Sequence, residues 1–175
     1  MSMGHRLFSV RKFLAGVMLI ASAGCGFQLR GAYDLPYETL FVSVPESSVV
    51  GAGLKRHIRA SGGTRLVDDP KEAQATFQRA GEKRDTVILS LSASGRVREK
   101  RLRYQYSYRI VDSQGRDLVP QGYVELTRDV TYADSATLAK TQEENLLWRD
   151  MENDLVQQLL RRLATAKPKP AAETD

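Results

Sequence analysis

A single cysteine and two histidines in 175 residues leave little from which to build a reactive centre. Cys25 has no second thiol to pair with, so an internal disulfide is excluded. His5 falls in the first few residues, which leaves His57 alone for imidazole chemistry. Neither an acid nor a nucleophile is spaced beside it as a Ser-His-Asp set requires. No His/Cys/Asp grouping has metal-ligand spacing. Gly51-Ala52-Gly53 lacks the Gly-Lys-Ser/Thr that would follow in a phosphate loop. These absences predict a non-enzymatic protein with no metal and no cofactor. Long hydrophobic runs are missing too. The apolar stretch Phe13–Ala21 is nine residues, well below the ~20 that cross a bilayer as a helix.

That short stretch has a context. Arg6, Arg11 and Lys12 precede it with no acid, and Ser22, Ala23 and Gly24 lead to Cys25. A basic head, a short apolar core and small residues before a cut site make a secretory signal, removed in the mature chain. The segment resembles bacterial lipoprotein signals, although Ser22 stands where that pattern prefers Leu. Cys25 is then the lipidation site; the alternatives are ordinary secretion with a leftover thiol, or a cytosolic protein with an apolar amino-terminal helix. Gly26, in place of an Asp, implies sorting to the outer membrane. A free thiol is a liability in an oxidising compartment, and acylation removes it.

The expected organisation is a signal peptide over 1–24, a lipid-anchored linker over 25–38, one domain over 39–164 and a disordered tail over 165–175. Removing the three basic leader residues from the whole-chain charge of +5 leaves +2 on the mature chain, so the pI of about 9.4 comes largely from the leader. That is a weak footprint for nucleic acid, which is not expected as a partner.

Thr39–Val44 alternates and reads as a strand ended by Pro45. Ser47 or Ser48 caps a helix reaching about Ala60, with Val50, Leu54 and Ile58 four apart, and Gly62-Gly63 ends it. Gly51 and Gly53 weaken that helix by about 1 kcal/mol each against Ala. Residues 64–72 are expected to be loop. A second extended region covers Ala73–Ser92, with a bulge or turn expected at Glu82-Lys83-Arg84 and a turn at Ser94-Gly95. Next comes the clearest strand. Leu102, Tyr104, Tyr106, Tyr108 and Ile110 share one parity, while Arg101, Arg103, Gln105, Ser107 and Arg109 share the other. After a turn at 112–115, Tyr123–Tyr132 reads as a fourth strand. Asp134 or Ser135 caps a last helix whose apolar stripe is Leu147, Met151, Leu155, Leu159 and Leu163. The order β-α-β-β-β-α predicts an α+β fold, a four-stranded mixed sheet with two helices packed on one face. The other face is left polar and open to a partner.

Arg96, Arg98, Lys100, Arg101, Arg103 and Arg109 crowd one hairpin. Two readings stand: solvated faces that guard a sheet edge, or recognition of a phosphorylated anion.

Cys25-Gly26-Phe27-Gln28-Leu29-Arg30-Gly31 resembles the start of mature lipoproteins of the LptE family, which serve lipopolysaccharide assembly. Asp134–Glu144 is similar to that family's entry into its last helix, and Asp150-Met151, Asp154 and Gln157–Leu163 look like its continuation. The resemblance covers nearly all of residues 25–164. It implies a sheet with two helices on one side, seated in the LptD outer-membrane barrel. It implies that the chain plugs and supports that barrel, binds lipopolysaccharide and helps place it in the outer leaflet. It also implies that Arg96, with Arg98 in reserve, and Lys140 contact lipid A phosphates. The competing role for Lys140 is an ion pair with Glu144. The competing function is a free lipoprotein that binds another anionic lipid.

Overall fold

In a computed structural model the described residues are 33–45, 47–132 and 137–166. Cys25, Asp134, Ser135 and residues 167–175 lie outside them. The elements are β1 (Thr39–Ser43), α1 (Val49–Ser61), β2 (Arg65–Leu66), a 3-10 turn (Pro70–Glu72), β3 (Ala75–Leu91), β4 (Val97–Val111), β5 (Asp117–Thr131) and α2 (Thr137–Thr165). The sheet runs β2-β1-β3-β4-β5. β1 is parallel to both neighbours, whereas β3, β4 and β5 form an antiparallel meander. The α+β class and the mixed sheet with two helices are as expected.

The alternation in β4 dictates the core. Leu102, Tyr104, Tyr106, Tyr108 and Ile110 are buried together with Leu40, Val42, Phe77, Val124, Leu126 and Val130 from the other strands. Against them lie Val50, Leu54 and Ile58 of α1 and Met151, Leu155, Leu159 and Leu163 of α2. Ser48 is the N-cap of α1: its Oγ accepts from the Gly51 N–H at 3.1 Å. Gly62 closes that helix at φ 74°, where a side chain would be strained.

The two glycines that cost α1 propensity have a packing reason. A Cβ on Gly51 would sit 2.1 Å from Val44 Cγ2, and one on Gly53 would sit 2.8 Å from Val156 Cγ2. The helix lies closer to β1 and α2 than any side chain at those positions allows.

Three expectations are corrected. The sheet has five strands, because β2 forms inside the expected loop. Arg65 N–H donates to Glu38 O (2.9 Å) and Val67 N–H to Leu40 O (3.1 Å), and a two-residue strand is too short for any period to register. β5 starts at Asp117, not Tyr123, since Pro120 and Gly122 interrupt its alternation. β3 is regular through 82–84. Its register shifts fall between Arg79 and Gly81, and again after Ile88. The charged run stays in strand because its side chains find cross-strand partners.

Residues 33–38 are extended but packed. Leu35 and Tyr37 are buried, and Tyr33 OH donates to Gln157 Oε1 at 2.9 Å. The Gln157 amide donates at 3.1 Å to His57 Nε2, while His57 Nδ1 faces Gly53 O at 2.9 Å. Since the carbonyl only accepts, Nδ1 carries the proton and Nε2 accepts. His57 therefore ties α1 to α2 and to the segment that precedes β1.

Candidate functional site

The β3–β4 hairpin ends in a turn made by its own residues. Gly95 N–H donates to Ser92 O (2.9 Å), Ser92 N–H to Arg96 O (2.7 Å) and Arg96 N–H to Ser92 Oγ (3.1 Å). Gly95 adopts φ 77°. Arg96 and Arg98 are exposed at this tip. Arg98 O accepts from Tyr132 N–H at 2.8 Å, which brings the end of β5 alongside. Lys100 Nζ lies 3.3 Å from Glu144 Oε1 of α2 and 4.6 Å from the Tyr132 ring centroid. Lys140, one turn before Glu144, belongs to the same end of the molecule. Its Nζ pairs with Glu143 Oε2 at 2.6 Å. The Glu144 carboxylate, the partner expected for Lys140, goes to Lys100 instead.

The six basic residues of the hairpin thus divide. Arg101 grips Asp129 with two bonds of 2.7 Å, Arg103 grips Asp85 with bonds of 2.8 and 2.6 Å, and Arg109 donates to Gln78 Oε1 at 2.9 Å. These forks organise the open face of the sheet. The Arg103 fork holds the Asp85 carboxyl at about 2, below the usual carboxylate range, because hydrogen bonding and charge favour its ionised form. Arg96 and Arg98 make the hairpin tip the cationic end, and Lys140, paired with Glu143, stands on the α2 turn that precedes Glu144, the partner of Lys100.

One polar cluster left no sequence signal. Tyr104 is buried, and its OH donates to Glu82 Oε1 at 2.7 Å. Arg84 Nη2 reaches the buried Glu152 at 2.6 Å and the Tyr104 OH at 3.2 Å, with its guanidinium 4.5 Å from the Tyr104 ring centroid. Arg79 donates to Glu82 at 2.7 Å. Burial pushes the Glu82 carboxyl up, but the bonds from Tyr104 and Arg79 outweigh it and leave a net depression. Burial raises the Tyr104 phenol, helped by its bond to Glu82. The charges balance inside the cluster, which fastens the last helix to the sheet. Among the described residues, no three His, Cys, Asp or Glu side chains are grouped to hold a metal ion.

The fold is a small α+β domain of the kind found in solved bacterial lipoproteins. An NMR structure of an uncharacterised lipoprotein B from Nitrosomonas europaea superposes with a TM-score of 0.68 at 36% identity, over 79% of this chain and 90% of that one. Rare lipoprotein B from Shewanella oneidensis shares the fold at a TM-score of 0.63 and 20% identity, over 73% and 94% of the two chains. Residues 37–163 match the profile of the family described as LptE, Lipopolysaccharide-assembly. The LPS-assembly lipoprotein LptE of Pectobacterium atrosepticum is 29% identical over 171 residues, 93% of this chain and 88% of that protein. The chain belongs to the LptE family.

Proposed function

We propose that this chain is an outer-membrane lipoprotein that seats in the LptD barrel, plugs its lumen, supports its assembly and binds lipopolysaccharide on its way to the outer leaflet. Cys25 carries the acyl chains. Each buried CH₂ contributes about 0.8 kcal/mol, so several chains give a stable anchor where one is marginal. The domain itself needs no catalytic group; its work is to fill space and to present charge. Large barrels have aqueous interiors, and the face of the sheet away from the helices suits such a wall. It carries Arg101, Arg103, Gln105, Ser107 and Arg109, three of them already paired with Asp129, Asp85 and Gln78.

The observation that supports the lipopolysaccharide reading is the exposure of Arg96 and Arg98 at the β3–β4 tip of a family member, on the hairpin whose Lys100 reaches the helix that carries Lys140. Lipid A phosphates meet cations there, and Arg forks match phosphate oxygens in pairs. Capture of purified lipopolysaccharide by the full chain tests it. Arg96→Glu with Lys140→Glu is expected to cut capture about tenfold, which is the ~1.4 kcal/mol of one charge-assisted contact. Capture equal to wild type would take both residues out of the proposal. Acylated Cys25 at the mature amino terminus, read by mass spectrometry, is the matching check on the anchor.

A further inference from the structure

Val87, Ile88, Leu89 and Leu91 are 40%, 54%, 41% and 57% exposed, consecutive along the outer half of β3 apart from Ser90. β1 covers β3 only over Ala75–Gln78. From Arg79 to Leu91 no described strand lies on that side, and every residue there is exposed or half-buried. A long apolar edge with open backbone donors and acceptors is a template for another strand, and proteins normally blunt it. Here charges of both signs flank the run without interrupting it: Lys83, Arg84 and Asp85 before, Arg96, Arg98 and Glu99 after.

We infer that the β3 edge over Asp85–Leu91 receives an extended protein segment, apolar in its middle, which adds as a sixth strand. The segment belongs to the barrel partner, so the inference rests on the reading given above. The placement of the apolar groups selects this occupant. Val87 stands opposite Arg101, on the polar face, whereas Ile88 stands opposite Lys100, on the helix face. The apolar groups therefore wrap the edge and do not form a single face. A lipid surface takes a face; an edge takes a strand, whose backbone bonds give affinity while alternate side chains contact both sides. A second copy of this chain is a poorer fit. Seven residues of edge bury far less than the roughly 1,200–2,000 Å² of a stable dimer. A segment of a partner already held nearby binds at high effective concentration and needs no such area.

Residue-resolved hydrogen exchange tests this on the full chain, alone and in its complex with LptD purified in detergent. In a strand paired on one side only, alternate amides face outward. The outward amides of 85–91 are expected to slow about tenfold or more in the complex, while those facing β4 are slow in both states. Ile88→Lys with Leu91→Lys is expected to abolish that protection and to leave thermal stability within a few degrees of wild type. A complex that forms without protection at 85–91 overturns the edge inference and leaves the plug reading standing. No complex with the wild-type chain removes both. Protection of the free chain by phosphatidylglycerol vesicles would assign the edge to lipid, and a sedimenting dimer of the free chain would assign it to a second copy; either overturns the inference.

Discussion

Where β1 flanks β3, at Ala75–Gln78, the strand sinks into the core: Ala75, Thr76 and Phe77 are buried. From Arg79 the same strand runs on for thirteen residues without one buried position. The first region carries a full cover of helices and neighbouring strands. The second is charged with both signs and then apolar, with nothing described over its outer edge. The first is covered core; the outer end of the second, over Val87–Leu91, spends apolar surface on something other than folding, since exposed contiguous apolar residues mark interaction sites.

Perturbing each region separately breaks or sharpens that contrast. Leu155, 1% exposed between the sheet and α1, is the severest test. Leu155→Asp buries an unpaired carboxylate and is expected to cost more than about 4 kcal/mol, enough to unfold a marginal domain, seen as loss of the cooperative thermal transition by circular dichroism. Gly53→Val at the α1–α2 contact forces Val156 aside and is expected to cost about 1–3 kcal/mol in a urea titration. Asp85 links the regions by pH. Its folded pKa of about 2 lies below the ~3.9 of an unfolded Asp. The stabilisation is present above pH ~4 and is lost as pH falls toward 2. Asp85→Asn is expected to flatten that window in melts taken from pH 5 to 2. Smallest of all, Arg96→Glu with Lys140→Glu is expected to move stability by no more than about 0.5 kcal/mol. A large loss there would make the cationic end part of the scaffold and erase the contrast.

Much of the scaffold was legible because period reports burial. β4 has five residues of one parity in the core, and α2 repeats Leu or Met every fourth residue; both faces could be read directly from the chain. β2 was illegible because two residues carry no period, and the start of β5 because Pro120 and Gly122 interrupt one. The role of Gly51 and Gly53 was hidden for another reason. Propensity penalises them locally, while their value depends on close packing against Val44, which precedes the helix, and Val156, which is distant in sequence. At the candidate site, the crowding of basic residues was visible but its division was not. Asp85 and Asp129 absorb Arg103 and Arg101 from other strands, and only the paired register decides that. The Arg84–Glu152 contact joins β3 to the last helix across 68 positions, with no short-range mark of either partner.

The account stands on an anchored domain that works inside a larger channel. Extraction of the tagged full-length chain from native outer membrane in mild detergent, with the stoichiometry read by mass, tests that most directly. One LptD barrel per acylated chain is the predicted result. A chain recovered alone, or with an unmodified Cys25, would contradict it.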